Sequence, residues 1–163
     1  MGIRLVVVDD NPHLAWDGAI YPANATFERF VAAILDVPGA PVASITTVVP
    51  VRDADAAPGS VPLDPRIHVV RSAPFDGIAG YLRHLASLSR ANRPTLSRAI
   101  AGADLLWLKV PASNAALAGA IATRAGVPRF VWVAGSAADV AAGRFAGARG
   151  VGGRVVGGGY DLV

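Results

Sequence analysis

The sequence predicts an α/β fold: a doubly wound, mostly parallel sheet covered by helices on both faces, in three layers α/β/α. The segment Ile3–Val8, which is apolar except for Arg4, and continuous apolar runs at 105–108 and 130–133 are typical of parallel strands that are buried on both faces. Between the last two runs, a helix that begins near Asn114 carries its apolar side chains on one stripe. Gly126 suits the left-handed position after this helix. This strand–helix–strand unit predicts parallel neighbours, and we expect all three runs to be inner strands.

The segments between the first strand and this unit alternate between strand and helix patterns. Phe27 starts a run of apolar side chains at helical spacing that Pro38 ends, and later segments rich in Val, Ile and Thr are typical of strands. The predicted segments are, in order, a loop at 9–24, a helix over 27–35, a strand within 42–51, a loop at 52–65, a strand at 67–70, a helix over 77–92 and a short helix from Pro94 to residue 101. Alternation of this kind favours a parallel sheet.

Length and composition set limits on the class of protein. A chain of 163 residues that is 53% hydrophobic can bury one core, and its mean hydropathy of +0.44 suits a sheet covered on both faces. With no cysteine, it forms no disulfide, thiolate nucleophile or cysteine zinc site. No apolar run reaches the length of a membrane span, and a strand at Ile3–Val8 is unlike a secretory signal. We therefore expect a cytoplasmic protein.

The positive charge is dispersed along the chain. The formal net charge is +3, and Arg83, Arg90, Arg93 and Arg98 fall in one helical region without interleaved aromatic side chains. This pattern favours a solvated helix face over nucleic-acid binding. A peripheral contact of the same arginines with the inner face of a membrane stays open as an expectation.

Several ligand classes lack their motif. The chain has neither the glycine fingerprint of dinucleotide-binding domains nor a P-loop, and nothing in it calls for a cofactor or a metal ion. The acidic pair Asp9–Asp10 after the first strand suggests a response-regulator receiver. A receiver also needs an aspartate after its third strand and a lysine after its fifth, and neither is found there. A degenerate receiver, or another stand-alone binding or regulatory domain, is the alternative interpretation.

The loop after the first strand carries candidate binding residues. It is long for a strand-to-helix connection, and long loops at the carboxyl ends of strands often bind ligands. Asp17 and Gly18 allow a tight turn with close approach to a ligand, and Trp16 offers a flat apolar surface. His13 is the candidate for acid–base chemistry, since it alone of the three histidines follows a strand at this edge.

Further candidates follow the later strands. Lys109, the sole lysine, ends the fourth predicted strand, where it can meet an anionic group or simply extend into solvent. Ser113 lies at the start of the next helix, as a helix cap or a ligand contact. Gly135 and Ser136 follow the fifth strand. Because ligands of open α/β sheets bind outside the carboxyl ends of the strands, we expect all these residues on one edge.

Residues 81–136 resemble the N-terminal, acceptor-side Rossmann-like domain of glycosyltransferases with the two-domain GT-B fold, most of all the large retaining family. The resemblance extends over about residues 1–136. In such domains a helix leads into a strand that begins with Ala-Asp, and a proline-containing turn, a small-residue helix, a Gly-x-Pro turn and a strand ending in small residues follow. The matching segments here are Ala103-Asp104, Lys109-Val110-Pro111, 114–125, Gly126-Val127-Pro128 and 130–136.

The resemblance implies a hexosyltransferase-like enzyme that moves a sugar from a nucleotide-sugar donor to an acceptor. It implies that residues 1–140 form the Rossmann-like domain and that the glycine-rich tail at 141–163 leads towards a C-terminal domain that makes most of the donor contacts. The isolated chain is then expected to be inactive. Two features depart from the family: Gly18 stands where paired glycines are common, and Gly135-Ser136 stand where many members have a histidine turn.

Overall fold

The computed structural model describes residues 2–134, which form seven strands and four helices. In chain order these are β1 (Ile3–Val8), β2 (His13–Trp16), β3 (Ala19–Pro22), α1 (Ala25–Ala33), a 3-10 turn (Ile34–Asp36), β4 (Val42–Asp53), β5 (Ile67–Ser72), α2 (Gly77–Arg83), α3 (Leu85–Ala101), β6 (Leu105–Val110), α4 (Ala115–Ala125) and β7 (Arg129–Val133). The expected tail at 141–163, with Gly135 and Ser136, lies outside the described residues.

Five parallel strands form the body of the sheet, in the order β5-β4-β1-β6-β7. The last residue of β1, Val8, lies opposite Val48 of β4 on one side and Leu108 of β6 on the other. The predicted class, a doubly wound, mostly parallel sheet of Rossmann-like type, is confirmed. The predicted parallel pairing of the two strands joined by α4 is confirmed as well, since Leu108 lies opposite Val131.

The strand order excludes the receiver interpretation. A receiver has the flavodoxin-like order, in which the third parallel strand lies beside the first. Here the third parallel strand, β5, pairs with β4 on the outside of the sheet, and it ends in Ser72 with no aspartate following it directly. The five parallel strands, in the order β5-β4-β1-β6-β7, are instead arranged as in the dinucleotide-binding doubly wound folds.

The two faces of the sheet are covered by different helices. On one face α3 and α4 bury Leu96, Ile100 and Ala118 against Val6 and Leu106. The single apolar stripe predicted for α4 is present: Ala115, Ala118, Ile121 and Ala122 are buried, whereas Ala125, at the end of the helix, is exposed.

On the other face α1 packs over β1, β4 and the aromatic side chain of β6. Phe27 and Val31 meet Val7, Ile45 and Trp107, all of them buried. The apolar spacing that predicted α1 is therefore the spacing of its contacts with the sheet.

The expectation that 130–133 is an inner strand is wrong within residues 2–134. There β7 pairs with β6 alone, and all five of its residues are exposed, Val133 to 65%. Its apolar run reflects a row of aromatic contacts on one side: Trp132 stacks on Phe27, with ring centroids 5.1 Å apart, and Phe130 lies 5.0 Å from Trp107.

Two predicted segments differ in detail. The expected loop at 9–24 contains the antiparallel hairpin β2–β3, whose first strand continues the sheet beside the last residues of β4. The expected helix over 77–92 breaks at His84, and Pro94 lies inside α3 instead of starting a helix. Because Pro94 is exposed, the Arg90 carbonyl that loses its N–H partner can be hydrated, which lowers the cost of an interior proline.

Candidate functional site

The candidate site lies where β1 and β6 end side by side. The chain leaves β1 towards β4 on one side of the sheet, and it returns from β5 across the sheet to β6 on the other side. This reversal of direction opens a crevice between the carboxyl ends of the two strands, which is the usual ligand position in doubly wound folds. The acidic pair Asp9–Asp10 follows β1, and Lys109 and Ser113 lie at the end of β6 and in the turn after it.

Lys109 forms an ion pair with Asp9 across this crevice. Its Nζ lies 2.9 Å from Asp9 Oδ2 and 4.1 Å from the centre of the Phe27 ring, so an anion and an aromatic face hold the ammonium group. The Asp9 side chain is buried, and its second oxygen accepts the backbone N–H of Asp10 at 2.8 Å. The expectation that Lys109 simply extends into solvent is therefore wrong, since one fifth of its side chain is exposed.

Asp10 is held by Ser113 from the opposite strand end. The Ser113 hydroxyl donates to Asp10 Oδ1 at 2.7 Å, and the Ser113 backbone N–H donates to Oδ2. Burial raises the pKa of Asp10 to about 6; the two bonds from Ser113 oppose the rise, and the charge of Asp9 adds to it. Asp10 is thus a half-buried carboxyl group whose pKa lies well above the ordinary value of an aspartate.

A second set of contacts fixes the turn that carries Ser113. The Tyr81 hydroxyl of α2 donates to the Ser113 carbonyl at 2.8 Å. Behind it, the buried Asn92 of α3 accepts the backbone N–H of Ala73 and donates to the side chain of Asn114 at 3.1 Å. Neither Ser113 nor Asn114 caps α4 through its side chain, because both side chains are engaged elsewhere.

His13 lies beneath the crevice with its side chain fully buried. Its Nδ1 meets the carbonyl of Asn11 at 2.7 Å, and its Nε2 lies 3.5 Å from Glu28 Oε1, which accepts the Asn11 amide at 2.6 Å. Burial lowers the pKa of His13 and raises the pKa of Glu28, so the structure favours the uncharged form of both groups. In this position His13 lies beside Glu28 of α1 and offers no ring atom to a ligand in solvent.

The structure places the other predicted residues at the hairpin. Asp17 and Gly18 form its tip, both with positive φ (46° and 75°), and Trp16 contacts Tyr21 edge to face with ring centroids 6.3 Å apart. Since β2 runs parallel to β4, this tip projects beyond the carboxyl edge of the sheet. The described contacts bring Lys109 and Ser113 together through Asp9 and Asp10, and they do not include the residues of the tip.

Sequence reasoning missed the partners of Lys109 and Ser113. Asp9 and Asp10 were noted only as half of a receiver site, although residues that directly follow adjacent parallel strands must face each other across one edge. That β1 and β6 are neighbours depends on the strand order, which periodicity does not give. Nothing in the sequence indicated that Tyr81 and Asn92 contact the turn that carries Ser113, because both lie within helix patterns far from that turn along the chain.

Over residues 2–134 no group of three or more histidine, aspartate or glutamate side chains is placed to hold a metal ion. None of the helices in this part of the chain combines the length and the apolar character needed to cross a membrane.

Comparison with known proteins gives similarities at the level of fold. No protein-family model matches the chain, and no curated protein matches it. The C-terminal domain of a hydrogenase from Pyrococcus furiosus is 13% identical with a TM-score of 0.46, covering 81% of this chain and 94% of that one.

Two structures with bound UDP are similar to the same degree. A UGT transferase from Siraitia grosvenorii is 15% identical with a TM-score of 0.48, and the similarity covers 85% of this chain. TcCGT1 is 13% identical with a TM-score of 0.47, covering 90% of this chain. The chain spans 29% and 31% of the lengths of these two proteins. Similarities of this size carry no argument about activity.

Proposed function

We propose that this chain is the acceptor-side domain of a GT-B glycosyltransferase, and that the crevice between β1 and β6 binds the acceptor. The support is twofold: the resemblance of residues 81–136 to such domains, and the polar groups gathered at the switch point of the sheet. The observation that carries the proposal is Asp10, a carboxylate fixed by Ser113 at that edge with a pKa raised to about 6.

Asp10 suits the chemistry of an acceptor hydroxyl. In sugar transfer the acceptor oxygen bonds to the anomeric carbon of the donor, the bond from that carbon to the departing phosphate breaks, and the hydroxyl proton must be taken up. A carboxylate that is ionised above pH about 6 can accept a hydrogen bond from the hydroxyl and receive its proton. Because Ser113 engages both oxygens, the carboxylate is oriented before the acceptor arrives.

The charges in the crevice favour a neutral acceptor group. Contact with an anionic substrate was one of the two roles that the sequence left open for Lys109, but its ammonium group is already paired with Asp9. With Asp10 ionised, two carboxylates face one ammonium group, so a further anion would be repelled. We therefore assign Lys109 to holding Asp9 in place, and the substrate contact to Asp10 and Ser113.

The hairpin tip and the tail complete the proposal. Trp16, Asp17 and Gly18 would line the outer wall of the acceptor site, with Gly135 and Ser136 following β7. The tail at 141–163 would lead to a second domain that makes most contacts with the nucleotide sugar. One wall alone leaves such a ligand half-solvated, so residues 1–163 should bind it weakly and should not turn it over.

Calorimetry and a transfer assay test this proposal together. Residues 1–163 and the full-length gene product would be titrated with a panel of nucleotide sugars, and release of the nucleoside diphosphate would be followed with a panel of hydroxyl-bearing acceptors. We expect micromolar binding and transfer from the full-length product only. Micromolar binding by residues 1–163 alone would instead indicate a self-sufficient binding domain.

A further inference from the structure

A cavity of about 420 Å³ lies between α1 and the loop that precedes β5. One side of α1, with the turn after it, forms the first wall, and residues 61–66 form the second. The loop is tied to the hairpin, because the N–H of Leu63 donates to the carbonyl of Ile20 at 2.7 Å. Within residues 2–134 none of the crevice side chains lines this cavity. A cavity of this volume can hold a small organic molecule, and the proposed sugar transfer makes no use of it.

The two walls are largely aliphatic. Alanines form the helix wall and larger apolar residues form the loop wall: Ala25, Ala32 and Ala33, and Val61, Pro62 and Leu63. Val61 is 53% exposed, so part of this apolar surface is in contact with water. Covering such a surface removes apolar area from water, which favours a ligand with an apolar body.

Glu28 is the buried polar residue of the helix wall, with 6% of its side chain exposed. Its Oε1 accepts the side-chain amide of Asn11 at 2.6 Å and lies 3.5 Å from His13 Nε2. Its Oε2 is buried and has no hydrogen-bond partner in the described part of the chain. A buried acceptor without a donor destabilises the fold. Glu28 therefore has one unused carboxylate oxygen in the wall of an apolar cavity.

The charged residues of the walls leave one negative charge without a partner. Arg66 binds two aspartates at once, at 2.6 Å from Asp36 and 2.7 Å from Asp64, and Arg29 is exposed. With Glu28 ionised, the walls carry three carboxylates and two guanidinium groups, so one positive charge on a ligand would balance them. Burial raises the pKa of Glu28, and a cation bound to its carboxylate would oppose this rise by favouring the charged form.

We propose that this cavity binds a small molecule that carries an ammonium group on an apolar body, and that Glu28 binds the ammonium group. The ammonium N–H donates to Oε2 and neutralises the buried charge, while the body packs between the alanines of α1 and Leu63. A hydroxyl group could donate to the same oxygen, but it would leave the carboxylate without a counter-ion. An anionic ligand could meet the exposed Arg29, but Glu28 would repel it.

Three probes that share one ring separate these ligand classes: cyclohexylamine, cyclohexanol and cyclohexanecarboxylate. Binding to the chain would be followed by NMR of the alanine methyl groups at about pH 8, where an aliphatic amine keeps its proton and ionisation of Glu28 is favoured. We expect cyclohexylamine to bind about tenfold more tightly than either other probe, because hydrogen bonds between charged groups are the stronger ones. The methyl groups of Ala32 and Ala33 should shift, and that of Ala112, beside Ser113 in the crevice, should not.

Matched variants test the role of Glu28 and the place of the site. Glu28→Gln keeps an acceptor for Asn11, and it should lower the affinity for cyclohexylamine about tenfold to a hundredfold while changing that for cyclohexanol less than about twofold. Asp55→Asn removes an exposed carboxyl outside the cavity and should change neither affinity. Ala33→Leu fills the cavity without touching the carboxyl, so it should weaken all three probes and tests the site even where Glu28→Gln does not fold.

The binding assay involves no sugar transfer, so it can fail while the proposed function stands. The proposal is overturned if the three probes bind equally, if cyclohexylamine binds Glu28→Gln as tightly as the wild type, or if no probe shifts the methyl groups of Ala32 and Ala33. Tightest binding by cyclohexanecarboxylate, lost in Arg29→Ala, would also overturn it and indicate a site for anions.

Discussion

The replacement Asp10→Asn should make the folded chain more stable at neutral pH. Burial raises the pKa of Asp10 from 3.8 to about 6, so the native state binds this proton more tightly than the unfolded state does. The stability that the group contributes is then complete below about pH 4 and is lost as the pH rises towards 6. Ionised Asp10 costs at most about 3 kcal/mol at pH 7, at 1.36 kcal/mol for each pKa unit.

Asparagine can keep both contacts with Ser113. Its carbonyl oxygen can accept the backbone N–H, and its amide can donate to the hydroxyl, so the variant removes the charge with little change of shape. The free energy of unfolding would be measured by urea titration with tryptophan fluorescence at about pH 4 and about pH 7.5. We expect a gain of 1–3 kcal/mol for the variant at the higher pH and none at the lower pH.

A control at an exposed aspartate isolates the effect of burial. Asp55 lies exposed in the loop between β4 and β5, and Asp55→Asn should change the stability by less than about 0.5 kcal/mol at both pH values. The reasoning is refuted if Asp10→Asn has the same effect on stability at both pH values, or if it destabilises the chain at neutral pH.

Three further variants test the neighbouring contacts. Lys109→Met should destabilise the chain by about 3 kcal/mol, because it leaves the buried Asp9 carboxylate unpaired. Adding Asp9→Asn should restore most of the lost stability. A single variant as stable as the wild type would contradict the ion pair. Since burial lowers the pKa of His13, the unfolding free energy measured by urea titration should fall as the pH drops below about 6.5. In His13→Asn this fall should be smaller. The same dependence of the unfolding free energy on pH in the variant would count against a buried, uncharged ring. Tyr81→Phe should cost about 1 kcal/mol in thermal unfolding by removing the bond to the Ser113 carbonyl, and a variant as stable as the wild type would show that this bond contributes nothing.

The fold was predictable where one pattern dominates a segment. Residues 5–8 of β1 and the strand at 105–108 are continuous apolar runs because both faces of the sheet are covered there, and the turn at Gly126 has the positive φ that its glycine predicts. The other elements are short or only partly buried, so their sequence patterns were not decisive. The hairpin β2–β3 has four residues in each strand, too few for a clear alternation, and β7 has the composition of an inner strand although its residues are exposed.

The position of the site was predictable, whereas the contacts between its residues were not. The sequence indicates which residues follow strands, and this was enough to select Lys109 and Ser113. Their partners depend on the neighbouring strand, and the placement of β1 beside β6 follows from how the whole chain packs. The burial of His13 was not predictable from the sequence either. It depends on the contact with Glu28 of α1, which the hairpin approaches only in the folded chain.

Under the proposed function, the pH dependence of sugar transfer by a protein that joins this chain to a donor-binding domain tests the role of Asp10 most directly. If Asp10 receives the acceptor proton, kcat/KM should fall tenfold per pH unit below about pH 6, where the carboxyl is protonated. Asp10→Asn should lower kcat/KM by a factor of about 100 or more at neutral pH, and it should remove the acid limb of the pH profile, which is the fall below about pH 6. The free energy of unfolding of the same variant should rise. A limb near pH 6 that persists in Asp10→Asn, or an unchanged rate, would contradict the account.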